Sequence, residues 1–176
     1  KRIGDGMLKS EDGALVGMDA ETYYLEALKK EEVFRNMITN PFVDGYEKEE
    51  AWYRWNSDEI TVEEEIILQK LKERYAANNN VVLTQNNKGE FVSKTVKKLG
   101  KMKAIKILER GSGGICKSLL IEGTENTFKV LNEFNIRYIL NGNGTKIKRA
   151  DGSEIFCSML LPSGFFYVDM VHFGQN

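Results

Sequence analysis

Residues 100–140 read GKMKAIKILERGSGGICKSLLIEGTENTFKVLNEFNIRYIL, and the spacing of apolar residues and glycines in this stretch decides the fold. Ile105 and Ile107 alternate with polar neighbours, the period-two signature of a strand with one buried face. Gly111 to Gly114 turn the chain, and Ile115, Lys117, Leu119 and Ile121 fall on one face of a second strand, with Leu120 on the other. Gly123-Thr124 with Asn126 marks a second turn, and Thr127 to Leu131 supplies a third strand. Asn132 is placed to cap a helix carrying Phe134, Ile136, Tyr138, Ile139 and Leu140. Three antiparallel strands therefore feed one short helix.

Outward from this block, Asn141 to Gly144 end the helix and Ala150 to Ser153 form a turn. Ile155 to Leu161 and Phe165 to Val171 read as closing strands around Pro162-Ser163-Gly164. Upstream, Val81 to Thr84 and Glu90 to Ser93 flank the Asn86 to Gly89 turn as a hairpin. Thr61, followed by Glu63 to Glu65, places a hydroxyl cap and three carboxylates at the start of a helix, where the macrodipole favours negative charge. Its apolar face is Ile66, Ile67, Leu68, Leu71 and Tyr75, and Asn78 to Asn80 stop it. An earlier helix runs from Ala20 through Tyr24, Leu28, Phe34 and Ile38 to Asn40-Pro41, and a break near Lys30 to Glu32 would divide it in two. Gly4, Gly6, Gly13 and Gly17 make the first twenty residues a lead-in with a short edge strand at Gly13 to Met18. Helices gather early and strands late, which is the pattern of an α+β domain with N-terminal helices followed by an antiparallel sheet and a short packed helix. Residues 1–45 form a lead-in and helical arm, and residues 46–176 the α+β domain.

The chain has 176 residues, 41% hydrophobic and 29% charged, which is ordinary globular usage and enough for a core. A net charge of -1 gives no electrostatic reason to expect nucleic acid. No apolar run approaches the roughly 18 residues of a membrane-crossing helix, so no membrane segment is expected in this chain. The chain begins at Lys1, and is expected to be a processed or excised piece whose targeting signal lies upstream. Cys116, Cys157 and His172 are too few for a four-ligand zinc site unless carboxylates complete it, so neither a metal nor another cofactor is expected. Both cysteines lie in apolar strand-like segments, where a thiol packs as a small hydrophobe. A disulfide between them is open on the sequence, and His172 has no orienting partner that would make it a base.

Carboxylates are abundant, but Glu63 to Glu65 and Glu47 to Glu50 read as solvated runs, and Glu133 sits where a helix-capping acid belongs. Gly111-Ser112-Gly113-Gly114 resembles a phosphate loop only in glycine content, because it joins two strands and lacks the Lys-Ser/Thr ending. Lys97, Lys98, Lys101, Lys103 and Lys106 read as the wet face of a strand rather than as a binding patch. Trp52, Tyr53, Arg54 and Trp55 offer flat rings and a guanidinium suited to a sugar, although alternation commits half of them to packing.

The ordered series Tyr53-Arg54-Trp55, Gly100 to Ile105, Glu109-Arg110-Gly111-Ser112-Gly113-Gly114, Ile121-Glu122-Gly123, Asn135-Ile136-Arg137 and Leu161-Pro162-Ser163-Gly164-Phe165-Phe166 resembles the stage II sporulation protein D/LytB amidase-enhancer family over about residues 31 to 170. The resemblance implies an exported or membrane-anchored protein of the bacterial cell envelope, because family members act on peptidoglycan and the sporulation members are lytic transglycosylases. The family's catalytic acid belongs to an element Y-L-x-x-V-x-x-E-M-P followed by an alanine-rich helix. Tyr24 to Glu31 resembles its front half, but Glu32 and Val33 stand where methionine and proline belong, and no alanine-rich helix follows. The histidine motif G-H-G-V-G-M-S-Q of the family is not found before Asn176. No catalytic residue is therefore assigned.

What the resemblance implies is an accessory, non-catalytic region that supports a peptidoglycan glycan strand, with Arg54, Trp55 and Arg137 as glycan-binding candidates. Arg137 follows Ile136 on a short helix, so its guanidinium would reach outward to carboxylates or N-acetyl oxygens, or else cover the surface and pair with an acid. The alternative is an interaction module that recruits a cell-wall hydrolase or sporulation component through the Lys97 to Lys106 face or the helical arm. A hydrolase using Glu31 or Glu133 is the third reading.

Overall fold

The computed structural model describes residues 7–9, 15–19, 26–39, 55–56, 63–149 and 151–168. The expected helix start at Ala20, Trp52 to Arg54, Thr61 and His172 lie outside them. Ten strands and three α-helices are named here in chain order among the described residues. They are β1 (Met7–Lys9), β2 (Leu15–Asp19), α1 (Glu31–Thr39), β3 (Trp55–Asn56), α2 (Glu64–Ala77), β4 (Val82–Gln85), β5 (Phe91–Val92), β6 (Met102–Arg110), β7 (Cys116–Gly123), β8 (Thr127–Leu131), α3 (Glu133–Leu140), β9 (Thr145–Arg149) and β10 (Glu154–Cys157). The chain is α+β, as expected.

The central layer is an antiparallel sheet of order β5-β4-β8-β7-β6. Two-residue periodicity sends Ile105, Leu119, Ile121, Phe128, Val130 and Val82 to one face, where they meet Ile67 and Leu71 of α2 and Ile136, Ile139 and Leu140 of α3 in a single core. The other face carries Lys106, Leu120, Lys129 and Leu83, with Lys106 exposed and the other three half-buried, and the core helices lie on the first face alone. A second sheet, β10-β9-β3, sets Trp55 opposite Arg149, and β1 pairs β2 in a separate two-stranded ribbon.

Local chemistry places α3 as expected. The Asn132 side chain accepts a hydrogen bond from the Asn135 N–H at 3.3 Å, and Asn132 itself takes φ 62°, ψ 151°, a strained backbone outside the left-handed helical region. The expected interruption of the early helix falls at Leu28 to Lys30, ahead of α1. For α2 the cap position is Glu63 rather than Thr61, and Glu63 makes no side-chain cap bond, so the helix start rests on acidic charge in its first turn. Asn78 ends it.

Four other expectations are corrected. Ile115 and Lys117 are not buried with Leu119 and Ile121; Cys116 and Ser118 are the buried residues instead. The cause is a β-bulge, since Ile107 pairs with Leu119 but Glu109 pairs with Ser118 and Arg110 with Cys116. Leu108 is extra on β6 and Lys117 on β7, so the ladder returns to register at Arg110, with Leu108 left 43% exposed and Arg110 in the interior. The lysines from Lys97 to Lys101 precede β6 rather than lying on it. Phe165 to Val168 are not a strand, and the closing strand near Ile155 ends at Cys157. Finally, β9 forms where no element was expected, because Thr-Lys-Ile-Lys-Arg holds one buried apolar residue, Ile147, among charges.

The bulge makes a clean prediction. Leu119→Ala empties a site with no solvent exposure and is expected to cost about 2–5 kcal/mol in urea unfolding, whereas Lys117→Ala, on what alternation alone would make the same face, stays within about 0.5 kcal/mol.

Candidate functional site

The interior position that the bulge gives Arg110 generates the most densely bonded cluster among the described residues. Its Nε donates to Glu31 Oε2 at 2.5 Å and its Nη2 to Glu31 Oε1 at 3.0 Å, a two-pronged ion pair between β6 and the first turn of α1. Nη2 also donates to the Phe166 carbonyl at 2.8 Å, and Nη1 donates to the Gly114 carbonyl at 2.9 Å and to Cys116 Sγ at 3.6 Å. A guanidinium has five N–H bonds, and each here has an acceptor. The Phe34 ring lies under the same cation at 3.6 Å. Gly114 admits that ring, since it holds φ +94° and a Cβ there would stand 2.3 Å from Phe34 Cδ2.

Around this cluster the segment 161–168 is fastened largely by arginines. Arg35 donates from Nη2 to the Val168 carbonyl at 3.1 Å and from Nε to Glu31 Oε1 at 3.1 Å, with its guanidinium 4.8 Å from the Tyr167 ring centre. The Cys116 N–H donates to the Gly164 carbonyl at 3.0 Å. Arg137 donates from Nε to the Leu161 carbonyl at 2.8 Å and from Nη2 to the Pro162 carbonyl at 3.0 Å, and its Nη1 faces Glu133 Oε1 at 3.5 Å. Arg137 thus has a structural task beside any contact with ligand. Arg54 lies outside the described residues, and Trp55 sits on β3, paired across to β9.

The electrostatics set what these groups do. Burial pushes the Glu31 carboxyl up, but hydrogen bonds and charge from Arg110, then Arg35, outweigh it and hold the group below its ordinary value. A general acid at neutral pH needs the opposite shift, so Glu31 in this arrangement is an anchored carboxylate rather than a proton donor. Glu133 packs in the first turn of α3 against Gly164 and faces Arg137, the place of a helix-front acid. Burial raises the Cys116 thiol to about 11 despite the opposing Arg110 charge, so it stays protonated and unreactive. Both cysteines are free. Among the described residues no three His, Cys, Asp or Glu side chains converge to hold a metal, and no helix is long and apolar enough to cross a membrane.

Beside the cluster opens a shallow groove of about 580 Å³ along β6. Glu31, Arg35, Lys103 and Lys106 supply its charged lining, and Ile105, Ile107 and Val168 its apolar lining. Because Glu31 is already neutralised by Arg110, the groove is cationic in balance. Mixed apolar and hydrogen-bonding walls of this kind suit a sugar ring, whose faces are apolar and whose rim is polar. In the sequence Arg110 stands out only as a member of the Glu109 to Gly114 motif, and Arg35 not at all. The only trace is the position of Arg110 just ahead of the glycine turn, because main-chain acceptors such as Gly114 O and Phe166 O have no residue-type signature. Comparison with protein-family models, curated proteins and solved structures found no match.

Two measurements test the cluster. Arg110→Ala leaves Glu31 without its main partner and two carbonyls unpaired, and is expected to cost about 3–5 kcal/mol by urea unfolding. Glu31→Gln is expected to destabilise at pH 7, and its gap to wild type should close on acidification. The folded-state pKa of Glu31 lies below the unfolded one, so its contribution is full above the ordinary value of 4.5 and is lost as pH falls through the folded value. Unfolding midpoints from pH 7 to pH 3 check the sign.

Proposed function

We propose that this chain is a non-catalytic part of a bacterial cell-wall glycan-processing protein of the stage II sporulation protein D/LytB type, acting outside the cytoplasm and supporting a peptidoglycan glycan strand. One observation carries the reading. Segments that bear the family resemblance, far apart in the chain, meet at one place: Glu31 ends the first, Arg110 and Gly114 belong to the second, and Phe166 to the third, all joined through one guanidinium. A fourth, Asn135-Ile136-Arg137, holds the Leu161-Pro162 carbonyls. A shared cluster is what a family core would require of those motifs. The Arg-locked state of Glu31 supports a binding role over a proton-transfer role.

In this reading the glycan lies in the groove along β6, with Lys106 reaching its carboxylate or N-acetyl oxygens, and with Arg54, Trp55 and Arg137 as further contacts. The wild-type chain is expected to sediment with purified sacculi stripped of stem peptides. Lys106→Glu should reduce the bound fraction severalfold at unchanged melting temperature, and Trp55→Ala should reduce it severalfold. Failure to sediment, with capture of a protein partner instead, would transfer the assignment to an interaction module recruiting a wall hydrolase. Release of anhydro-sugar by the wild type, abolished in Glu31→Gln, would make the chain an enzyme and end the non-catalytic assignment.

A further inference from the structure

A row of uniform positive charge lies outside the groove's anchoring cluster. Residues 91–108 contain six lysines, Lys94, Lys97, Lys98, Lys101, Lys103 and Lys106, and no acid and no arginine. Removing these six from the 25 basic residues leaves 19 against 26 acidic ones, so the remainder of the chain carries -7. All six lysines are exposed. Among the described residues only Lys103 meets a carboxylate, Glu122 at 3.4 Å. Glu64, an acid that does reach this stretch, is spent on the Met102 N–H at 3.2 Å rather than on a lysine.

The lysines are presented by a fixed scaffold. Val96, Leu99 and Met102 recur every third residue and are 5%, 1% and 3% exposed, so each intervening lysine is driven outward. The backbone is tied to the neighbouring turn: Thr124 N–H donates to the Lys101 carbonyl at 2.9 Å, Glu125 N–H to the Leu99 carbonyl at 3.1 Å, and Asn126 Nδ2 to the Lys98 carbonyl at 2.8 Å. An ordered row of like charges repels itself and weakens the fold unless a counter-charge arrives. A chain so rich in glutamate elsewhere leaves this row uncompensated.

We propose that this ridge binds a linear, base-free phosphodiester polymer. Ammonium groups are point charges that meet one monoanionic group each, whereas planar two-pronged recognition calls for arginine, which the ridge lacks. Nucleic acid is disfavoured by the same absence and because the one ring within residues 91–108, Phe91, is half-buried with Lys129 at 6.0 Å from its ring centre. The site goes beyond the glycan groove and does not rest on it, because Lys94, Lys97, Lys98 and Lys101 take no part in the groove lining.

The test uses the whole chain and a fluorescent poly(glycerol phosphate) probe. Wild type should bind at 50 mM salt and lose at least about tenfold in affinity by 200 mM, the signature of counterion release. The quadruple variant Lys94→Gln, Lys97→Gln, Lys98→Gln, Lys101→Gln should bind at least about tenfold more weakly, with a melting temperature equal to or above wild type. A control quartet of exposed lysines elsewhere, Lys30→Gln, Lys72→Gln, Lys88→Gln and Lys148→Gln, removes the same net charge and should change binding less than about threefold. Equal losses in the two quartets, or no binding at 50 mM salt, overturn the proposal. Equal or tighter binding of poly-L-glutamate overturns the phosphodiester assignment, and tighter binding of single-stranded DNA reassigns the ridge to nucleic acid. Sedimentation with sacculi by the ridge quartet, still reduced by Lys106→Glu, separates this outcome from failure of the groove.

Discussion

The Arg110 guanidinium is the constraint on which the arrangement of the chain depends. Its side chain is 1% exposed, so its charge has lost nearly all contact with water and has to be met within the protein. The protein meets it with a carboxylate from α1, two carbonyls from the 114 and 166 segments, a thiol sulfur and an aromatic face. These partners come from three stretches that share no regular secondary structure, so one side chain fixes the helical arm and the 161–168 segment against the β6–β7 hairpin. Such a cluster contributes less net free energy than its contacts imply, because desolvation opposes it. Its main effect is to define one arrangement of those segments.

Much of this architecture was legible in the sequence where local rules act alone. Strands β6, β7 and β8 and helix α3 appear where alternation, glycine turns and the Asn132 cap place them, and α2 where its apolar face places it. The rest was not legible for physical reasons. A bulge leaves no residue-type mark in Ile-Lys-Ile-Leu-Glu-Arg, yet it alone decides whether Glu109 or Arg110 faces inward. Phe165 to Val168 carry the composition of a strand, but Arg110 and Arg35 take carbonyls that a ladder would have used. Glu31 and Arg110 each lie in a resembling segment, but nothing in either segment marks their pairing across 79 residues.

The two cationic features of the β6 region differ in physical kind. At the groove, Arg35 is engaged with Glu31, Val168 and Tyr167, so its charge is oriented and partly spent. Along the ridge, lysines flank buried Val96, Leu99 and Met102 without comparable commitments. Oriented charge discriminates geometry, and uncommitted charge attracts from a distance in a salt-dependent way.

The Glu31–Arg110–Phe166 cluster also has a bearing on the order in which the chain acquires its structure. The β6–β7 and β7–β8 hairpins join residues close in sequence, and their formation costs little loop entropy. Arg110 reaches Glu31 across 79 residues and Phe166 across 56. Its acceptors at Gly114 and Cys116 exist only once the hairpin has turned. Docking of the arm and of the 161–168 segment closes far longer loops than the hairpins do, and therefore belongs to the later, slower part of folding.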